Sequence, residues 1–359
     1  MKINAVDLFC GIGGLTKGLQ NSNINVVAGI DIEEKCRFPY TQNNNSKFIQ
    51  SDIKKISSSD IDKLYPKDTD IKVLVGCAPC QPFSSYSYRY KGTDASINKM
   101  DLLDSFSRIV GDIYPDIVSM ENVPQLAKEP IFNRFIKTLK ELKYHVNWHI
   151  VFAPNYGVPQ KRKRLVLLAS RLQSIDLIPP LYNKNNYPTV RSAIKGFPAI
   201  KAGETDAKDP MHHAPKLSPI NLKRIRQSKP GGTWHDWDDN LILKAYKKKS
   251  GKSYTSVYGR MEWDKPAPTI TTKFYGYGNG RFGHPDQDRA ISFREGATLQ
   301  TFPKDYIFLD KEHPISGYDL GVMIGNAVPV KLGEAIGKSI IKGINSDGKQ
   351  KNNWSECSN

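Results

Sequence analysis

Short apolar runs alternate, through the first half of the chain, with segments whose apolar residues recur at helical spacing. The apolar runs predict strands at 5–9, 25–30, 73–76, 116–120, 146–151 and 165–169. Helical spacing occurs at 14–20, 102–113 and 131–142. Strands that alternate with helices form mostly parallel sheets with helices on both faces, so the pattern predicts an α/β fold.

The pattern changes near Arg171, where prolines, glycines and aromatic residues become frequent and the alternation ends. Turn signals such as Pro230-Gly231-Gly232 mark this region as loop-rich, and helical spacing returns only near the end of the chain. The predicted segments are a first domain over 1–171, a smaller, irregular, β-rich domain over 172–288, a return segment that completes the first domain over 289–344, and a disordered polar tail over 345–359.

The net charge of the chain indicates what kind of partner it binds. The chain has 359 residues, with 52 basic against 36 acidic side chains and a formal net charge of +16. Such a charge indicates a polyanionic partner, although a basic soluble protein without one would also carry it. No apolar run approaches the roughly 18 residues of a membrane span. The first residues, 1–7, lack the organisation of a signal peptide, so a cytoplasmic protein is expected.

Two strand ends carry candidate catalytic groups. Cys80 follows the strand at 73–76 behind Pro79, and Glu121 follows the strand at 116–120. Ligands of open α/β sheets bind at the carboxyl ends of the strands, so this thiol and carboxylate are predicted to share a site. Cys77 and Cys80 also form a C-x-x-C pair, which is typical of redox sites and of half a zinc site. The other cysteines are scattered, so no metal is expected.

A glycine-rich turn joins the first strand to the first helix. Gly11, Gly13 and Gly14 let a ligand approach the backbone, although their spacing differs from the dinucleotide-binding fingerprint. Asp31 ends the second strand, where an acid can bind ribose hydroxyls, and Asp52 can receive an adenine amino group if it ends the third. These features predict a nucleotide-like ligand, with tight packing and helix capping as the alternatives.

Several segments together resemble the DNA (cytosine-5)-methyltransferases. They are 7–14, Pro79-Cys80-Gln81, Glu121-Asn122-Val123, 160–164 and Gly325-Asn326-Ala327-Val328. The resemblance covers most of the chain and implies a Rossmann-like methyltransferase domain with a smaller target-recognition domain. It also implies methyl transfer from S-adenosyl-L-methionine to C5 of a flipped-out cytosine in a specific duplex DNA sequence, with S-adenosyl-L-homocysteine as the second product.

The resemblance assigns roles to single residues. Cys80 is expected to add to C6 of cytosine, with Glu121 as the partner of N3. Asn122 is expected to position Glu121, Arg164 to contact the base and the carboxylate, and Arg162 to support the site. The cofactor pocket is assigned to Asp7, Phe9, Gly11, Gly13, Gly14, Asp31, Ile32, Asp52, Ile53, Pro79 and Asn326. DNA contacts are assigned to Ser84, Arg89, Lys91 and Arg294.

For the whole chain these features predict the modification enzyme of a restriction-modification system. It is expected to act on double-stranded DNA as a monomer, and to be paired in function with a restriction endonuclease without a stable complex. Transfer to a structured RNA such as tRNA, a non-catalytic DNA-binding protein and a C-x-x-C oxidoreductase remain as alternatives. Loops at 229–237 and 273–281 are candidates to read bases. Cys77 matches no catalytic position of the family and is expected to serve packing.

Overall fold

The computed structural model describes residues 1–79 and 94–355, with the backbone alone for 94–101 and 346–355. Contacts divide the chain into two units. Unit 1 consists of Met1–Phe152, Lys163–Pro180 and Val328–Asn359, and unit 2 consists of Ala153–Arg162 and Leu181–Ala327. The chain thus returns to unit 1 at Val328, whereas the sequence predicted this return at Arg289.

Unit 1 is built on one sheet, whose seven strands within the described residues have the order β3-β2-β1-β4-β5-β7-β6. The strands are β1 (Ile3–Leu8), β2 (Asn25–Asp31), β3 (Lys47–Gln50), β4 (Ile71–Gly76), β5 (Ile117–Asn122), β6 (His145–Phe152) and β7 (Lys163–Ser170). Strands β1 to β5 pair in parallel, and β7 runs antiparallel to both β5 and β6. The predicted mostly parallel α/β sheet is confirmed, and β1 and β5 are buried along their whole length, as strands covered on both faces are.

Helices cover this sheet. In unit 1 they are α1 (Gly14–Gln20), α2 (Arg37–Asn43), α3 (Ser58–Asp62), α4 (Asp94–Ile113), α5 (Pro130–Glu141) and α11 (Val330–Ser355). Helix α4 starts earlier than the predicted 102, and α11 continues through the segment from Asn345 that the sequence predicted to be disordered. Adding residues to a helix that is already nucleated costs little, which accounts for the extension. Among the described residues, no helix has both the length and the apolar character needed to cross a bilayer.

Unit 2 is irregular. Its helices are α6 (Val190–Ile194), α7 (Pro219–Gln227), α8 (Lys244–Lys247), α9 (Phe293–Leu299) and α10 (Gly317–Asn326). Where the sequence predicted a β-rich domain, the described backbone forms isolated bridges, such as that between Arg260 and Gly283. Frequent proline and glycine explain this outcome, because both interrupt longer ladders. An aromatic core that includes Trp234, Trp237 and Tyr277 holds part of the unit together.

A buried ion pair holds a second part of unit 2. Arg289 and Glu295 are both fully buried, and the guanidinium binds the two carboxylate oxygens at 2.7 and 2.8 Å. Burial alone would raise the pKa of Glu295, but the hydrogen bonds and charge of Arg289 outweigh it and lower that pKa. Burial also lowers the pKa of the neighbouring His284 to about 4, so this imidazole is neutral at pH 7.

Helices α1 and α11 pack backbone to backbone. A Cβ atom on Gly18 would lie 2.5 Å from the carbonyl oxygen of Val330, and one on Gly333 would lie 3.2 Å from the Cα of Gly18. Asn21 adds a hydrogen bond from its Nδ2 to Oε1 of Glu334 at 2.9 Å. Helix α1 begins directly after the glycine-rich turn, so α11 supports the turn from behind.

This close approach predicts a destabilising glycine-to-alanine substitution. Gly18→Ala should lower the free energy of unfolding by about 1–3 kcal/mol, because the added methyl group overpacks the contact. Gly111→Ala is the matched control in α4, where the nearest atom, Cδ1 of Leu142, is 4.0 Å away. The control should raise stability by up to about 1 kcal/mol through helix propensity. Urea unfolding followed by circular dichroism measures both, and equal shifts would contradict the packing argument.

Candidate active site

The site lies at the point where the order of the sheet reverses. From β1 the chain proceeds to β2 on one side of the sheet, while β4 pairs on the other side. The crevice at the carboxyl ends of such strands is where open α/β sheets bind ligands. The glycine-rich turn follows β1, and residues 77–79 follow β4. The two segments are joined by a hydrogen bond from the Cys77 amide to the Leu8 carbonyl at 3.3 Å.

The turn after β1 has an unusual backbone. Phe9, Gly11 and Gly13 have φ values of 60°, 51° and 83°, in the left-handed region that favours glycine. Apart from Gly11 and its two neighbours in the chain, no atom of the described residues lies within 4 Å of the position that a Cβ on Gly11 would take. The space beside Gly11 is therefore open to a ligand.

Asp31 holds this turn. Its Oδ2 accepts a hydrogen bond from the Gly11 amide at 2.8 Å, and its Oδ1 accepts one from the Glu33 amide at 2.9 Å. Burial raises the pKa of Asp31, although both amide bonds oppose the shift. The carboxylate that the sequence assigned to a ribose thus also fixes the glycine turn, and each oxygen retains lone pairs for a further donor.

Asp7 lies beneath the turn and is 1% exposed. Its Oδ2 accepts a hydrogen bond from Oγ1 of Thr16 at 2.7 Å. Its buried Oδ1 has no hydrogen-bond partner among the described residues. Burial raises the pKa of Asp7 to about 7. Thr16, which no sequence motif indicated, is the residue that orients this acid.

Three further predicted cofactor residues follow β2 and β3. Ile32 is 65% exposed, which is unusual for a large apolar side chain. Asp52 accepts a hydrogen bond from the Lys54 amide at 3.0 Å through Oδ1. Ile53 is 3% exposed, and its side chain packs in the apolar core of unit 1.

Glu121, at the end of β5, is 2% exposed and is contacted from both neighbouring strands. From β7, Nε of Arg164 forms an ion pair with Oε1 at 2.8 Å, although the two groups are not aligned as a hydrogen bond. From β4, the Cys77 thiol donates a hydrogen bond to Oε2 at 2.9 Å. Sequence reasoning missed this contact, because it treated Cys77 as a packing residue.

Asn122 ties the end of β5 to the end of β4. Its Nδ2 donates to the Ala78 carbonyl at 3.0 Å, and its Oδ1 accepts from the Val123 amide at 2.8 Å. Pro79 is exposed and is the last residue described before the gap. Asn122 therefore positions the backbone that leads into Cys80, in addition to the end of its own strand.

The predicted nucleophile and loop lie outside the described residues: Cys80, Ser84, Arg89 and Lys91. Two other predicted residues belong to unit 2. The buried guanidinium of Arg162 donates to the carbonyls of Ile270 and Gly325, at 3.1 and 3.4 Å. Asn326 is exposed at the end of α10.

Arg294 requires a correction. The sequence predicted a DNA contact, but the residue is 7% exposed. Its guanidinium donates to both carboxylate oxygens of Asp209, at 2.6 and 3.0 Å, and to the Tyr306 carbonyl at 2.8 Å. A buried cation is costly unless it is paired, and these partners satisfy it. Arg294 therefore organises unit 2 and has no free face for a phosphate.

Comparison with known proteins places the chain in a family. The model of the C-5 cytosine-specific DNA methylase family matches residues 3–342. The chain is 50% identical over 339 residues to the type II methylase M.HgiDII of Herpetosiphon aurantiacus, covering 93% of this chain and 94% of that protein. It is 30% identical over 350 residues to the type II methyltransferase M.Eco47II of Escherichia coli, covering 94% of this chain and 78% of that protein.

Solved structures agree in fold. A putative DNA modification methyltransferase encoded within an Escherichia coli prophage superposes with a TM-score of 0.66 at 21% identity, covering 96% of this chain and all of that one. The Entamoeba histolytica methyltransferase EhMeth gives 0.60 at 17% identity, covering 96% of this chain and 99% of that one. With the family match along nearly the whole sequence, the conclusion is that this chain belongs to the C-5 cytosine-specific DNA methylases.

Proposed function

We propose that this enzyme transfers a methyl group from S-adenosyl-L-methionine to C5 of a flipped-out cytosine in a specific duplex DNA sequence. The observation that carries the proposal is the arrangement at one sheet edge of a buried carboxylate, Glu121, beside Arg164, with the glycine-rich turn two strands away at the end of β1. The type II names of the relatives support a role as the modification enzyme of a restriction-modification system.

The residues around the glycine-rich turn fit the cofactor. The open space beside Gly11 admits a ligand to the backbone, and the buried Oδ1 of Asp7 offers an acceptor. The exposed face of Ile32 would cover an adenine ring, with Asp31 and Asp52 near the ribose and the adenine amino group. Phe9 keeps the stacking role that the family resemblance gives it. When bound, S-adenosyl-L-methionine supplies an electrophilic methyl group.

The mechanism follows from the chemistry of cytosine. C5 is a poor nucleophile until the Cys80 thiolate adds to C6 and moves electron density toward C5 and N3. Glu121 stabilises the ring by sharing a proton with N3, and Arg164 holds the carboxylate in place. After C5 has taken the methyl group, its proton leaves to a base and the thiolate is expelled from C6. Cys80 is then free for another turnover.

DNA is the proposed partner, and the charge supports it. A base inside a duplex must leave the stack before a thiol reaches C6. Ser84, Arg89 and Lys91 follow the nucleophile in sequence and are proposed to contact the backbone. In unit 2, the exposed lysines around α8, Lys244, Lys248 and Lys249, are proposed to bind phosphates. Unit 2 is proposed to recognise the target sequence, and the enzyme to act as a monomer without a stable endonuclease complex.

Bisulfite sequencing tests the activity as a whole. Plasmid DNA exposed to the protein and S-adenosyl-L-methionine should carry protected cytosines at one recurrent sequence. A tRNA transcript treated in parallel should carry none. Methylation of the tRNA and not of the plasmid would overturn the choice of substrate.

The nucleophile can be identified covalently. Duplex DNA with 5-fluorocytosine at the target position should form an irreversible adduct, because fluorine at C5 blocks the final elimination. Peptide mapping should locate the adduct at Cys80, and Cys80→Ser should form none while it still binds the cofactor. An adduct at Cys77 would contradict the assignment.

The role of Glu121 predicts a loss of turnover. Glu121→Gln should slow methyl transfer by roughly 10²–10⁴-fold, the range typical of acid–base groups, because the amide cannot share a proton with N3. DNA affinity should change little. Glu141→Gln is the matched control, since this carboxylate is exposed on α5, and it should retain full activity. Near-normal turnover of Glu121→Gln would mean that another group serves N3.

Ile32 tests the cofactor pocket. Because its side chain is 65% exposed, Ile32→Ala should leave the thermal midpoint unchanged. It should weaken S-adenosyl-L-methionine binding by roughly 5-fold, because the substitution removes an apolar contact that contributes about 1 kcal/mol. Ile220→Ala, another exposed isoleucine, is the control and should not change cofactor affinity. Calorimetry without DNA measures both, and equal affinities of the two variants would exclude the contact.

A further inference from the structure

The Cys77 thiol is the second group that binds the carboxylate of Glu121. Its Sγ lies 2.9 Å from Oε2, on the side opposite the ion pair that Arg164 makes with Oε1. The two residues come from different strands and are 44 positions apart in the chain. The family resemblance assigns Cys77 no role, so its place beside the carboxylate needs its own explanation.

Strand register fixes this contact. In the parallel pair of β4 and β5, Gly76 is the partner of Met120, so the residues that come next are Cys77, just past the end of β4, and Glu121 in β5. The Cys77 amide is bound to the Leu8 carbonyl at the end of β1, which prevents its backbone from moving away. On the other side, Glu121 is the register partner of Val166 in β7, and this brings Arg164 alongside. The position of the Glu121 carboxylate beside Cys77 and Arg164 therefore depends on the register of β5 with both β4 and β7.

The choice of a thiol has a chemical consequence. A thiol is a weak hydrogen-bond donor, so it can orient a carboxylate while stabilising the ionised form less than a hydroxyl would. Arginine remains protonated throughout the range in which proteins fold, so Arg164 contributes a constant charge. A carboxylate that shares a proton with N3 must be fixed in orientation. The Cys77 thiol fixes one of its two oxygens, Oε2.

We propose that Cys77 is a positioning residue for Glu121, whose thiol orients Oε2 so that the carboxylate can share a proton with the base. The inference rests on the proposed function. It assigns to the first cysteine of the C-x-x-C pair a role distinct from that of the nucleophile. The groups that face Glu121 in the described residues are Cys77 from β4 and Arg164 from β7.

Two substitutions at this position should separate the donor from the volume of the side chain. Cys77→Ala removes the donor, so kcat should fall by about 10-fold, the scale of one hydrogen bond to a charged group. Cys77→Ser keeps a donor to the carboxylate, so kcat should be largely rescued. KM for DNA and for the cofactor should stay the same in both variants.

A double-mutant cycle with Glu121→Gln shows whether Cys77 acts through the carboxylate. In the Glu121→Gln background, Cys77→Ala should have little further effect on kcat, because the group that it positions is gone. Additive losses, or a kcat of Cys77→Ala equal to that of wild type, would overturn the inference. If Cys77→Ala does not fold, Cys77→Val, which also lacks a donor, carries the same test.

The same measurements separate this inference from the proposed function. Wild-type protein that methylates no DNA would overturn both. Wild type that is active, with Glu121→Gln slow and Cys77→Ala unimpaired, would overturn only the role of Cys77.

Discussion

The free energy that it costs to bury a carboxylate at the end of β5 constrains the rest of the structure. Glu121 is 2% exposed, and an isolated charge in such a place is strongly unfavourable. The fold compensates this charge with a guanidinium from β7 and a thiol from β4. Because each partner stands on a different strand, the compensation requires the correct register of three neighbouring strands. The strand register that forms the sheet is therefore also the register that brings the partners of Glu121 to its carboxylate.

The same principle applies at the end of β1. The glycine-rich turn takes left-handed backbone angles that glycine tolerates, and Phe9 also takes one at a cost. Asp31 compensates by accepting a hydrogen bond from the Gly11 amide, so one carboxylate stabilises the turn. Asp7 lies below, and its Oδ1 has no hydrogen-bond partner among the described residues. Burial raises the pKa of both acids, so the end of β1 holds two carboxyl groups that are costly to ionise.

The sequence predicted features that depend on neighbouring residues, and it did not predict contacts between residues that lie far apart in the chain. Local patterns determine the parallel sheet, the glycine-rich turn and the placement of Glu121. The alternation of apolar runs correctly predicted the parallel sheet. Cys77 was misjudged because its contact depends on the register between β4 and β5, which a single sequence does not specify. Arg294 was misjudged because its partner, Asp209, lies 85 positions earlier. The burial of the Ile53 side chain likewise depends on contacts with the rest of the core, which the motif alone does not specify.

The packing of α1 against α11 has a consequence for synthesis. The hydrogen bond between Asn21 and Glu334 joins residues 313 positions apart. A ribosome that adds roughly 5–20 residues per second delivers the second partner roughly 15–60 seconds after the first. Until then, the face of α1 at Gly18 has no backbone to pack against, and the turn that α1 anchors is unsupported. A nascent chain is thus expected to lack this support for the glycine-rich turn until α11 has been synthesised.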